Sequence, residues 1–291
     1  MSDDSGPTAF VLAGGGSLGA IEVGMLKALL VHGVRADVVV GSSVGAINAA
    51  YHAARPSLEG AQELDRVWRS LRTSDVFPLS PLGGLLGFVG WHDAFIDSGS
   101  LRTLLARVLP VGRFEDTAIP CHVVATDVLD GREVVLSKGP LVTALLASAA
   151  IPGVFPAVAR DGRMLIDGGV ASNTPIATAI SLGARRVVVL PSGFSCSLRA
   201  SPRGALAMAI HALSLMITHQ LVVDVERFHE RAEIVVVPPL CPVEVTPYDF
   251  STAGDLIDRA EASTRSWLAT GGLARRDVPY ELVPHGHADA P

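Results

Sequence analysis

Asp37-Val38-Val39-Val40-Gly41-Ser42-Ser43-Val44-Gly45 carries a run of valines into a serine flanked by glycines, and an alanine-rich stretch at 46–54 follows at once. The valines read as a buried strand and the alanines as a helix, so the G-x-S-x-G lies on a strand–turn–helix elbow. A serine on so sharp a turn has its hydroxyl pushed out of the backbone. Small neighbours are needed at Gly41 and Gly45, because a Cβ at either would collide across the elbow. The following helix aims its positive N-terminal end at the same spot, which suits chemistry that develops negative charge on oxygen. Ser43 is therefore a candidate nucleophile, and Ser42 a turn residue.

Upstream, a short apolar strand at 8–12 leads directly into Gly14-Gly15-Gly16-Ser17-Leu18-Gly19, and helical spacing then runs through Ile21, Met25, Leu26, Leu29 and Leu30 to Gly33. Downstream, strands are expected at 121–126, 133–136, 164–166, 186–190 and 234–237. Helices are expected at 58–71, 100–109, 141–149, 175–182, 203–230 and 253–268. Strands alternating with helices predict an α/β fold with three α/β/α layers around a mostly parallel sheet. One domain is expected over residues 7–270, with a weakly ordered polar tail over 271–291. The stretch 74–97 breaks the pattern, with Pro78, Pro81 and the aromatics Phe77, Phe88, Trp91 and Phe95; such a segment is either a lid or binding loop or a packed surface loop.

The 291 residues are 49% hydrophobic and only 18% charged, with 29 glycines and a net charge of −6. Apolar composition favours parallel strands buried on both faces and permits a lipid-facing surface. The negative balance argues against nucleic acid, which would want a basic face. The acidic start, Met1-Ser2-Asp3-Asp4, lacks the basic and apolar regions of a signal peptide. Cys121, Cys196 and Cys241 are widely spaced, as expected of reduced thiols in a cytoplasmic protein. The window 204–223 is nearly long enough to span a bilayer, but His211, Ser214 and Thr218 fall on one helical face, which suits a helix packed inside a protein.

Residues 14–19 also satisfy G-x-G-x-x-G, and a dinucleotide site would need an acidic residue at the end of the second strand. Asp37 precedes that strand instead, and Gly41-Ser42 occupy its end, so the nucleotide reading leaves the elbow unexplained. Consecutive glycines also suit an oxyanion hole, because their N–H groups can converge on one point. Gly14, Gly15, Gly16 and Ser17 are the candidate donors. Ile166-Asp167-Gly168-Gly169 sets a carboxylate at the end of an apolar strand, although D-G-G is also a common turn.

Four segments together resemble the patatin-like phospholipases: G-G-G-x-x-G closing at Gly19, the elbow from Gly41 to Gly45, the run Ala147-Ser148-Ala149-Ala150-Ile151-Pro152-Gly153-Val154-Phe155-Pro156, and Asp167-Gly168-Gly169 followed by Asn173-Thr174-Pro175. The resemblance implies a Ser–Asp dyad without histidine, Ser43 as nucleophile and Asp167 as general base. It also implies an oxyanion hole around Gly15 and Gly16, and no metal or organic cofactor. The implied substrate is a lipid or fatty-acyl ester, with transient contact at a membrane surface. The family often has Arg or Lys where this chain has Leu18, which removes a positive charge near the site. A Ser–Asp–His triad through His211, His219 or His229 is the competing arrangement. A catalytically silent lipid-binding protein and a nucleotide-binding oxidoreductase are the competing classes. Asp127 reads as a turn residue, and Asn173 as a tie for the backbone beyond Asp167.

Overall fold

The computed structural model describes residues 6–78, 96–193 and 205–282. Within them lie strands β1 (Thr8–Leu12), β2 (Val38–Ser42), β3 (Cys121–Asp127), β4 (Glu133–Leu136), β5 (Val158–Arg160), β6 (Arg163–Asp167), β7 (Arg186–Leu190) and β8 (Glu233–Val236). The α-helices are α1 (Gly19–Val31), α2 (Val44–Ala54), α3 (Leu58–Ser70), α4 (Thr73–Val76), α5 (Gly99–Val108), α6 (Leu141–Ser148), α7 (Gly169–Ser172), α8 (Ile176–Ser181), α9 (Ala205–Phe228) and α10 (Ala253–Ala269).

Side chains on β1 alternate between two apolar clusters. Phe10 and Leu12 pack with α1, α2 and α10, whereas Ala9 and Val11 pack with α8 and α9. Successive side chains leave a strand on opposite faces, so β1 is covered on both sides and the architecture is three-layered, α/β/α. Parallel pairing runs β3–β2–β1–β7–β8. The opposite end is antiparallel, with β3 pairing β4 and β6, and β5 pairing β6.

The register along β3 positions everything that follows. Val124 lies between Ser42 and Val135, and Ala125 lies between Asp167 and Val134. Because β4 holds one edge of both residues, β2 and β6 must share the other. β2 ends there at Ser42, and β6 arrives head-on at Asp167. Two strands abutting along one edge bring the residue after β2 against the last residue of β6.

The window expected to be a packed helix is α9, which docks through Leu221, Val225 and Phe228, while Met216 is 69% exposed. Among the described residues, no helix is long and apolar enough to cross a membrane. Cys121 is buried in β3, and burial pushes its thiol up to about 12. Beyond Gly271 the polar composition conceals two apolar anchors: Leu273 packs on one cluster and Leu282 is buried in the other. Residues 283–291 of the expected tail lie outside the described residues, as do Cys196 and the aromatics Phe88, Trp91 and Phe95. Phe77, from the same irregular stretch, stacks on Phe155 with ring centroids 5.6 Å apart.

Candidate active site

Ser43 connects β2 to α2 at φ 53°, ψ −126°, a left-handed conformation that costs a non-glycine residue about 1–3 kcal/mol and persists only where the surroundings impose it. They do so here by crowding. A Cβ on Gly45 would strike the carbonyl oxygens of Leu12 and Ala13, and one on Gly41 would lie 2.5 Å from the Gly45 carbonyl oxygen. Helix α2 is thus pressed against the ends of β1 and β2, and the strain is held by tight backbone packing.

Beneath the elbow, the Ser43 N–H donates to Ser148 Oγ at 2.9 Å, and that hydroxyl donates to the Val124 carbonyl. A donor and an acceptor that would otherwise be orphaned in the core are satisfied by one side chain at the end of α6. Ser148 is also the residue whose carbonyl accepts from Gly168 N–H at 3.1 Å, and Ala150 accepts from Asp167 N–H at 2.9 Å. The A-S-A-A-I-P segment therefore fastens nucleophile and carboxylate to one support. Ser148 lies in the segment that carries the family resemblance, and a buried hydroxyl in the last turn of a mostly apolar helix is its signal in the sequence.

Ser43 Oγ donates to Asp167 Oδ2 at 2.6 Å, and the other carboxylate oxygen accepts from the Gly169 N–H at 2.7 Å. Asp167 is 6% exposed. Burial raises its pKa from 3.8 to about 6, and the two hydrogen bonds restrain the rise by favouring the charged form. Thr126 Oγ1 donates to the Asp167 carbonyl at 2.8 Å and accepts from Ala171 N–H at 3.1 Å, fixing the turn that carries the carboxylate. Among the described residues no histidine hydrogen-bonds to Ser43 or Asp167. His229 Nδ1 instead meets the Glu226 carbonyl of its own helix. Asp127 takes the Leu129 N–H at 2.9 Å in a turn, and the hydroxyl of Ser42 is buried.

The glycine loop after β1 lies directly across from the elbow. Its four amides differ in what they already hold. Gly14 N–H donates to the Asn173 carbonyl at 3.2 Å, and Ser17 N–H to the Pro247 carbonyl at 2.7 Å. The N–H groups of Gly15 and Gly16 have no hydrogen-bond acceptor among the described residues. Asn173, expected to steady the backbone beyond Asp167, reaches back to this loop and donates to the Gly14 carbonyl at 3.1 Å, as does Ser192 Oγ at 2.7 Å. Asp37 stands at the other end of β2, where it accepts from Thr8 N–H at 2.8 Å. The end of β2, where a dinucleotide site would need an acidic residue, is occupied by Gly41 and Ser42. Leu18, where the resemblance anticipates a cation, is buried in the core.

Behind the loop, α1, α2 and α3 are joined by polar groups in a dry setting. Trp68 Nε1 donates to Asn48 Oδ1 at 2.9 Å, and Asn48 Nδ2 donates to Glu22 Oε2 at 2.7 Å and to the Gly19 carbonyl at 2.9 Å. Burial raises the Glu22 pKa well above its ordinary value. Through Asn48, Glu22 holds the first turn of α1 to the middle of α2, and so holds the glycine loop to the elbow.

An apolar cavity opens beside Ser43, walled by Val44, Ile47, Tyr51, Trp68, Leu105 and Phe155 among others. The cavity holds about 80 Å³ of free space. A roomier hollow of about 740 Å³, edged by Arg185, Glu226 and Arg276, contains neither Ser43 nor Asp167 and is lined by charges of both signs.

The patatin-like phospholipase family model matches residues 10–180. Patatin-like phospholipase domain-containing protein 6 of Homo sapiens is 32% identical over 187 residues, which cover 64% of this chain and 13% of that protein. An uncharacterised NTE family protein of Mycobacterium tuberculosis is 34% identical over 176 residues, covering 60% of this chain and 46% of its own length. The chain thus corresponds to less than half the length of either relative. Among solved structures, VipD from Legionella pneumophila is similar with a TM-score of 0.47 at 15% identity, over 89% of this chain and 67% of that one.

Proposed function

The chain belongs to the patatin-like phospholipase family, and from that premise we propose that it is a serine acyl hydrolase that cleaves fatty-acyl esters through Ser43 and Asp167. The observation that carries the reading is the 2.6 Å hydrogen bond from Ser43 Oγ to a buried carboxylate whose pKa is raised to about 6. A free aspartate, near 3.9, is too weak a base to share a serine proton at neutral pH; burial moves Asp167 toward the range where general-base catalysis works.

In the proposed cycle Ser43 Oγ attacks the ester carbonyl carbon as its proton passes to Asp167 Oδ2. The oxyanion is received by the N–H groups of Gly15 and Gly16, each contributing about 3 kcal/mol to the transition state. Collapse breaks the bond to the alkoxy oxygen, which leaves as an alcohol with the proton from Asp167. Water then attacks the acyl-enzyme, Asp167 again takes a proton, and Ser43 is restored as the fatty acid departs. The amides of Gly14 and Ser17 are already committed, so the oxyanion role falls to the two glycines between them. Lipid substrates also account for the apolar cavity, which starts at the nucleophile.

A fluorophosphonate probe tests the assignment. Wild-type protein is expected to be labelled, Ser43→Ala is not, and Asp167→Asn is expected to lose ester turnover while remaining folded. Well-folded wild type that takes no label would remove the hydrolase reading. Loss of turnover on replacing His211, His219 or His229 would restore the triad.

A further inference from the structure

On α2 the residues Val44, Ile47 and Tyr51 are spaced three and four apart, so they form one stripe along the helix. All three line the cavity that begins at Ser43, and the apolar faces of α3 and α5 close it from the other sides. The stripe therefore runs along one wall of the cavity. From Ser43 to Tyr51 is eight residues, about 12 Å at the helical rise.

Tyr51 is the last of the stripe along α2, and it changes the wall in chemistry as well as in bulk. It is 5% exposed, and the charges of Glu63, Arg55 and Arg66 lie near enough to act on its hydroxyl. Arg55 and Glu63 themselves form an ion pair at 3.3 Å. An alkyl chain pushed past the ring would meet these charges, and burying them against methylenes is costly. A staggered alkyl chain with bonds of about 1.5 Å advances about 1.25 Å per carbon. Helical side chains also lean toward the N-terminus, which brings the Tyr51 ring back toward Ser43.

We propose that Tyr51 is the floor of an acyl channel and limits the enzyme to acyl chains of about eight to ten carbons. The proposal rests on the hydrolase reading for its substrate, but the channel can be measured without turnover. Each methylene accommodated raises kcat/KM about fourfold, so the profile against chain length climbs to the floor and breaks there.

Two series separate the possibilities. Nitrophenyl esters of two to sixteen carbons are turned over by wild type, Tyr51→Ala, Tyr51→Phe and Ile47→Trp. Fatty acids of the same lengths are titrated calorimetrically into Ser43→Ala and into its double mutants with those three changes. The break is expected at eight to ten carbons in wild type and Tyr51→Phe. It should lie about four carbons further in Tyr51→Ala, and two or three carbons from the nucleophile in Ile47→Trp. A break that stays at one length in Tyr51→Ala and Ile47→Trp alike, or a wild-type profile still rising at sixteen carbons, overturns the floor. Should Tyr51→Ala not fold, the inward shift in Ile47→Trp against the unmoved Tyr51→Phe decides. Binding that breaks with length where no ester is hydrolysed would leave the floor standing and refute the hydrolase.

Discussion

Replacing Asp167 by Asn should make the protein more stable and inactive at once, and the two effects have one cause. Burial raises the Asp167 pKa from 3.8 to about 6. Between those values the folded protein holds a proton that the unfolded chain has released. The carboxyl therefore favours the fold below pH 3.8, and that contribution is lost as the pH rises through about 6. Above it the charged form costs about 3 kcal/mol, from roughly two units at 1.36 kcal/mol each. Asparagine is nearly isosteric: its carbonyl can accept from Gly169 N–H and its amide can donate to Ser43 Oγ. At pH 8, Asp167→Asn should gain up to about 3 kcal/mol, raising the melting temperature by roughly 6 °C in a chain of this size. At pH 4 the advantage should fall to near zero, because the wild-type carboxyl is then neutral. Urea titrations of both proteins from pH 4 to 8 measure the difference, in which every other titrating group cancels. A variant less stable than wild type at pH 8, or a gain that does not change with pH, would refute the account of a carboxylate held against its preference. The same pKa predicts that wild-type turnover falls on the acid side with a midpoint near pH 6.

Two further outcomes follow from neighbours of the site. Ser148→Ala leaves the Ser43 N–H and the Val124 carbonyl unpaired in the core, which should destabilise by about 1–3 kcal/mol; it should also lower kcat with little change in KM, as steady-state kinetics would reveal. His52, stacked on Phe10 with ring centroids 5.9 Å apart, is held neutral by burial, with its pKa lowered from 6.5 to about 4. Its contribution is intact above pH 6.5 and lost as the pH falls toward 4, so His52→Phe should flatten stability over that window in urea titrations; an unchanged slope would show that acid sensitivity arises elsewhere.

The sequence was most legible where one segment decides its own state. Thr8–Leu12, Glu133–Leu136 and Arg186–Leu190 have the bounds expected from their apolar runs, because turn residues flank each of them. Val158–Arg160 escaped notice: three half-exposed residues are too few to display a period, and only pairing with Arg163–Asp167 makes them a strand. The antiparallel placement of β6 was equally hidden, since an apolar run ending in Asp-Gly-Gly carries no sign of direction. The glycine loop, the proposed oxyanion hole, marks the boundary most sharply. Four consecutive candidates were readable as a group, yet which amides stay unbonded depends on Asn173 and Pro247, which are distant in sequence. Tyr51 was legible as a helical residue, but its position at the end of a channel requires α3 and α5 to be in place.

The meeting of β2 and β6 along a single edge of β3 also has a temporal side. Ser43 and Asp167 are 124 residues apart in the chain. A chain growing from its N-terminus carries β2 and Ser43 long before the carboxylate exists, and Asn173, Ser192 and Pro247, which hold the glycine loop, come later still. On the proposed mechanism no fragment that stops short of β6 contains the base, so activity would wait for β6 to close against β3.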